Sequence, residues 1–409
     1  MSRSRTARSP LRTALFWVHL ASGVVAGGII LIMSLTGVAL TYEKQLLGWA
    51  DRRALSSPII PIGKALPLDS LVRVASRAEP GRRPTAVTVS ADPAAPVKVV
   101  FGREATQYVD QYSGYALGAG ATSTRALLST ITAWHRWLGA TGEGRETGKA
   151  ITGAANLAFL VLVLTGAVLW VPRRITWTQV RAVLLFRRGL SGKARDFNWH
   201  NVLGVWSLMP LILIVASGVV ISYGWAGDLV YRLAGEAPPP RATPVASAAP
   251  TAGANPTAGA SPTASEPSPA PTMPLEPFIA AASARVPTWR TITVPLPVAP
   301  GKDVAVSIDR GTGGQPQLRA TLTLDPATAA ERDWLPFDAQ SPGRRARSFL
   351  RFAHTGEYFG LGGQTVAGLV TLATVLLVWT GIALAWRRMR DALRRRGGDA
   401  ARREERLAA

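Results

Sequence analysis

Residues 14–42 read ALFWVHLASGVVAGGIILIMSLTGVALTY, a run with no charged side chain and a single histidine, His19. At 1.5 Å per residue such a run crosses a hydrocarbon layer of about 30 Å, so it predicts a membrane-spanning helix. Three more runs have the same character, at 150–171, 199–226 and 363–386. The fold class follows: a mainly α membrane protein with four transmembrane helices.

The chain carries 46 Lys and Arg against 25 Asp and Glu, a formal net charge of +21. In a soluble protein that balance points to nucleic acid; here its placement points elsewhere. Arg3, Arg5, Arg8 and Arg12 precede the first span, Arg173, Arg174, Arg181, Arg187, Arg188, Lys193 and Arg195 lie between the second and third, and nine arginines follow Trp386. Cations crowd the cytoplasmic flanks of spans, so 1–13, 172–198 and 387–409 are expected inside, with both termini cytoplasmic. The long connections, 43–149 and 227–362, are then extracytoplasmic. The partner expected of this surface is membrane lipid, not nucleic acid. The first span is longer than a signal-peptide core, lacks an obvious small-residue cleavage site and is echoed later in the chain, which marks it as a retained helix. Most tryptophans, among them Trp17, Trp170, Trp199 and Trp386, sit at span ends as interfacial anchors. There is no cysteine, which excludes disulfides, thiolate-held iron–sulfur clusters and thioether-linked haem.

The chain also matches itself. FWVHLASG at 16–23 aligns with FNWHNVLG at 197–204, each with Phe three residues before a histidine and Gly four after it. Eighteen residues past His19 and His200 come Gly37 and Gly218, inside Thr36-Gly37-Val38 and Ser217-Gly218-Val219. The second and fourth runs end LTGAVLWVPRR and WTGIALAWRR, and each follows a histidine, His135 or His354, that precedes the span. The outer segments correspond too: PLDSLVRVASRAEPGRRPTAVTV from Pro67 and PLEPFIAAASARVPTWRTITV from Pro274 each read as a short helix and then strands. Two small extracytoplasmic α+β modules are expected, the second tethered by an Ala/Pro/Ser/Thr linker at 235–274. Two halves that both begin and end inside form a parallel two-fold internal repeat about an axis along the membrane normal.

All four histidines of the chain fall at equivalent places in this repeat. His19 and His200 lie near the inner ends of their spans, and His135 and His354 lie before spans, near the outer face. Topology sorts them into an inner and an outer pair, and two imidazoles facing one another supply the axial ligands of a haem iron. Gly23 and Gly204, one turn beyond the inner histidines on the same helix face, leave clearance for a macrocycle. A continuous helix from His135 to Trp170 exceeds the bilayer, so His135 is expected on a short interfacial segment that folds back, and His354 likewise. Arg125, Arg136, Arg145 and Arg351 lie near the outer pair in sequence; Arg136 and Arg351 above all suit haem propionates, although basic flanks of a span need no such role.

Each histidine alone reads as readily as an interhelical hydrogen-bond partner or a proton relay. Four at symmetric depths, with no other titratable residue inside the helical cores, favour haem; proton-coupled transport favours an intramembrane carboxylate. Zinc or copper transport is weakened by the distance between the pairs and by the lack of Met or Cys beside them.

The segments WVHLASG, WHRWLG, NWHNVLG and RFAHTGEYFG, the two Thr-Gly helix ends and the two outer modules together resemble the PepSY-associated transmembrane family, and within it the inner-membrane ferric-siderophore reductases. The resemblance spans nearly the whole chain. It implies two b-type haems held by His19, His135, His200 and His354, an oxidoreductase that reduces ferric chelates or siderophores on the outer side for iron acquisition, and a place in the bacterial cytoplasmic membrane. No dinucleotide fingerprint is present, so a cytoplasmic reductase or a membrane quinol is the expected electron donor. Two other readings stand beside it: a non-enzymatic PepSY-type regulator or scaffold of an extracytoplasmic peptidase or importer, and a haem electron carrier serving another acceptor.

Overall fold

A computed structural model describes residues 9–102, 105–171, 176–240 and 274–408, with side chains to residue 395. Most of the expected linker, residues 241–273, lies outside the described residues, as do Arg3, Arg5, Arg8, Arg173 and Arg174. In chain order the helices are α1 (Pro10–Leu40), α2 (Glu43–Ala54), α3 (Leu68–Ala78), α4 (Thr122–Trp137), α5 (Gly144–Trp170), α6 (Trp177–Leu184), α7 (Gly192–Ser222), α8 (Gly224–Leu233), α9 (Glu276–Arg285), α10 (Pro342–His354) and α11 (Gly360–Ala408). The strands are β1 (Ala86–Ser90), β2 (Val97–Phe101), β3 (Ala105–Val109), β4 (Ala116–Gly118), β5 (Thr291–Pro295), β6 (Val304–Asp309), β7 (Arg319–Leu324) and β8 (Glu331–Pro336). The described residues divide into two compact units, one drawn from Met1–Glu43, Leu127–Val230 and Phe349–Ala409, the other from Lys44–Ala126 and Tyr231–Ser348.

The first unit is a four-helix membrane bundle. α1, α5, α7 and Glu357–Arg395 are each long and apolar enough to cross a bilayer, with mean hydropathy of 2.0 to 2.2 over their most apolar stretches. α1 packs on α5 and α11, and α7 packs on the same two, so the helices form a ring in the order α1, α5, α7, α11 with α1 and α7 on one diagonal. Small and branched side chains fill the seams: Ala26 and Ile30 against Ala155, and Val163, Leu211, Val215 and Val370 against one another. The remaining apolar surface points outward. Val25 is 82% exposed and Met209 76%, a pattern that lipid satisfies and water penalises. The chain is a membrane protein.

Several boundaries differ from the sequence reading: α1 begins at Pro10 and α5 at Gly144, each a few residues before the expected span. α7 begins at Gly192, well before Trp199, and α11 runs on to Ala408 through the segment expected as a basic tail. Arg, Ala, Leu and Glu dominate that tail and are strong helix formers, so a helix already nucleated in the membrane has no reason to stop.

The second unit holds an antiparallel sheet. In place of two separate modules, the strands form one eight-stranded sheet in the order β4-β3-β2-β1-β5-β6-β7-β8. The two helix-plus-four-strand sets join where β1 pairs with β5, Val87 opposite Val294 and Val89 opposite Ile292. Left apart, β1 and β5 would each present an unpaired edge, and pairing removes both. Period-two alternation buries Val87, Val97, Val99, Ile292, Val294, Val306 and Leu322 beneath Leu71 and Ala75 of α3 and Phe278 and Ala282 of α9. The two helices cap each other: Asp69 accepts from the Leu275 amide at 3.1 Å, and Glu276 accepts from the Leu68 amide. Each first-turn carboxylate thus serves the amide that opens the other helix.

Candidate functional site

The bundle brings all four histidines inward as two pairs. His19, early in α1, and His200, early in α7, meet across the diagonal with ring centroids 6.3 Å apart and planes at 88°. His135, in the last turn of α4, and His354, the last residue of α10, meet with centroids 6.5 Å apart and planes at 61°. The outer histidines therefore sit on short helices of their own that precede the spans, as the sequence required. The level of the outer pair is set by α1: Met33 and Thr36 reach His135, and Thr36 lies seventeen residues beyond His19, roughly 25 Å along the axis.

Each imidazole is held through Nδ1 by a hydroxyl. His19 meets Thr165 at 2.9 Å, His200 meets Thr380 at 3.0 Å, His135 meets Thr36 at 3.1 Å and His354 meets Ser217 at 3.2 Å. The two outer rings also face carbonyls, Met33 O at 2.9 Å from His135 and Ile214 O at 2.8 Å from His354. The glycine after the hydroxyl gives three of the rings their seat. A Cβ at Gly37, Gly166 or Gly381 would stand 3.4, 3.3 and 3.4 Å from Cε1 of His135, His19 and His200. At Gly218 the close neighbour is Asn156 Nδ2, 2.9 Å from such a Cβ, so the fourth seat is built differently.

In the sequence these Thr-Gly and Ser-Gly pairs serve only to align the halves; their constant place in the apolar runs was the signal for the hydroxyls that meet the rings. Gly23 and Gly204 have looser surroundings: a Cβ there would meet Leu162 Cδ2 at 3.6 Å and Leu377 Cδ2 at 3.8 Å, ordinary contact that helix packing alone does not forbid.

The arginines separate. Arg125 belongs to the sheet unit and is committed to Asp51, with its guanidinium 3.0 and 3.1 Å from the two carboxylate oxygens, so it is not a propionate contact. Arg136 adjoins His135 and lies over Trp137; burial, and then the nearby Arg351 guanidinium, lower its pKa. Arg351, three residues before His354, lies over Phe352. Arg145 stacks on Trp137. Two cations converging near the outer pair is an arrangement that a carboxylate would relieve.

The inner end holds a group the sequence reading missed. Asp196, one turn before His200 and 2% exposed, pairs with Arg195 at 3.0 Å and with Arg387 of α11 at 2.5 Å. It clamps α7 to α11 beside the inner pair. The signal was in reach, a lone aspartate in the stretch KARDFNWH, but the span was begun too late to include it.

The donor set can be tested against a metal. Among the described residues no cluster of three or more His, Cys, Asp or Glu forms, so neither pair completes a tetrahedral site from protein ligands. Two opposed imidazoles suit an iron whose equatorial ligands arrive with a macrocycle. With iron about 2 Å from each nitrogen and each ring centre about 1.1 Å behind it, the centroids stand roughly 6.2 Å apart. The observed 6.3 and 6.5 Å are compatible with that spacing, which edge-to-face ring contact also spans.

A four-helix bundle that crosses a membrane and turns one histidine pair inward near each end defines an integral membrane protein with a ladder of internal imidazoles. The chain belongs to the family described as the PepSY-associated TM region, whose model matches residues 16–388. No curated protein matches it.

Proposed function

We propose that the chain holds two b-type haems, one between His19 and His200 and one between His135 and His354, and carries electrons outward across the bacterial cytoplasmic membrane to reduce ferric chelates. The observation that carries this reading is the pair spacing of 6.3 and 6.5 Å with Nδ1 of every ring already engaged. When bound, each haem supplies a one-electron ferric/ferrous couple.

The chain's own residues do the rest. α1 and α7 present the inner imidazoles from opposite sides of the bundle axis, and α4 and α10 present the outer ones. Gly23 and Gly204 would leave clearance on their helix faces for a haem held by the inner pair. Arg136 and Arg351 would neutralise the propionates of a haem held by the outer pair.

The paired placements of hydroxyl, glycine and histidine support a parallel two-fold repeat, and the corresponding helix-plus-strand sets support two PepSY modules fused at β1 and β5. The arginine flanks support cytoplasmic termini, which sets the sheet unit on the outer side. Electrons then enter at the inner pair from a cytoplasmic reductase or a membrane quinol. Reduction releases iron because Fe(II) binds hard oxygen chelators less tightly than Fe(III).

The test is transmembrane reduction in proteoliposomes with a reductant trapped inside and a ferric chelate outside, read as external Fe(II) by a ferrous-specific dye. External Fe(II) that disappears in His135→Ala supports the reading. Haem-loaded vesicles that leave the chelate ferric contradict it and favour a haem carrier for another acceptor; a chain that binds no haem leaves the regulator or scaffold.

A further inference from the structure

Every hydroxyl that meets an imidazole already has a use for its one proton. Thr165 Oγ1 lies 2.7 Å from Val161 O, Thr380 Oγ1 2.8 Å from Leu376 O, Thr36 Oγ1 2.7 Å from Ile32 O, and Ser217 Oγ 2.8 Å from Ile214 O. A hydroxyl has one proton and two lone pairs. Once it donates to a carbonyl of its own helix, its oxygen can only accept from the imidazole, and Nδ1 must carry the ring proton. At the outer pair a second line agrees, because Met33 O and Ile214 O face the same nitrogen and a carbonyl has no proton to give. In a neutral imidazole this leaves the lone pair on Nε2.

Back-bonding from Ser or Thr to its own helix is common in membrane spans and by itself needs no histidine. The recurrence decides between the two: four such hydroxyls face four imidazoles, and at three of them the next residue is the glycine against which the ring lies.

We infer that Thr36, Thr165, Ser217 and Thr380 are positioning residues that fix Nε2 as the ligating atom of all four histidines and hold the haem potentials down. This rests on the haem reading above. A hydroxyl that accepts from Nδ1–H strengthens the imidazole as a donor, which favours ferric over ferrous iron; removing the acceptor weakens the donor and raises the potential.

The experiment is a potentiometric titration of the purified holoprotein, with haem counted by pyridine haemochrome, for the unaltered chain, Thr165→Val and Thr165→Ser. Valine keeps the branched shape and removes the hydroxyl acceptor, leaving the Leu162 carbonyl beside the ring. The expected result is an upward shift of one midpoint only, the inner one, with two haems retained, and its return in Thr165→Ser. Loss of the inner haem from Thr165→Val that Thr165→Ser restores supports the same role, and Thr380→Val repeats the test from α11. Two haems with an unmoved midpoint in both valine variants, or an effect that serine does not restore, overturns the inference while leaving the haem reading intact. An unaltered chain with no haem overturns both.

Discussion

Three of the four rings rest against a glycine, at the edge of ordinary contact for Gly37 and Gly381 and inside it for Gly166. At Gly166 a Cβ alone stands 3.3 Å from His19 Cε1, tighter than ordinary contact, so alanine displaces the ring slightly and a longer side chain displaces it from the pair. Gly166→Leu is expected to lose the inner haem and keep the outer one, read as the loss of one of two components in the reduced-minus-oxidised visible spectrum with far-ultraviolet dichroism unchanged. Retention of both components contradicts this. The histidines themselves were legible because there are only four and the apolar runs fix their depth. The hydroxyl partners were not, because a Thr-Gly pair in a membrane span is commonplace, and only the fold shows which one a distant histidine reaches.

Among elements, the outer unit shows how a single buried carboxylate ties three segments. Asp51 of α2 accepts from the Tyr108 hydroxyl of β3 at 2.8 Å, from the Ala121 amide ahead of α4 at 2.8 Å, and from Arg125 of α4. Burial, then donation to Asp51, raises the Tyr108 phenol well above its ordinary range. The fold therefore favours the protonated phenol. The unfolded chain releases that proton from about pH 10, so this contribution is complete below about pH 10 and is lost as pH rises further. In the folded protein at about pH 11, phenolate absorbance is expected to be the same for the unaltered chain and Tyr108→Phe. Lower absorbance in the variant means that Tyr108 ionises there, against expectation. The helix-then-strand order was readable in the two outer segments: α3 and β1 lie in the stretch from Pro67, and α9 and β5 in the stretch from Pro274. The short edge strand β4 was not, because three residues carry too little periodicity, and Arg125 was misjudged because its partner lies 74 residues away.

For the molecule as a whole, the placement of apolar runs and of the cations beside them, not bulk composition, put the chain among membrane proteins, and hydropathy gave four spans in the order found. Self-comparison sorted the histidines into the same two pairs that the bundle brings together. What it could not supply was the joining of β1 to β5, because strand pairing between segments some 200 residues apart leaves no local trace in either one. Nor could it show that α4 and α10 bring the outer rings within reach of each other: the offsets from His135 and His354 to their Thr-Gly pairs differ, and only the turns that follow those helices absorb the difference. At the first of these turns α5 passes so close to α4 that a Cβ on Gly148 would fall 2.2 Å from Trp137 O.

The central claim is that two separate imidazole pairs each hold a haem. It is tested most directly by oxidised and dithionite-reduced visible spectra of the detergent-purified chain with a pyridine haemochrome count, for the unaltered protein, His19→Ala and His354→Ala. Two b-type haems per chain, with a different one lost from each variant, is the expected result. A colourless protein from haem-sufficient cells, or haem content unchanged in both variants, contradicts it.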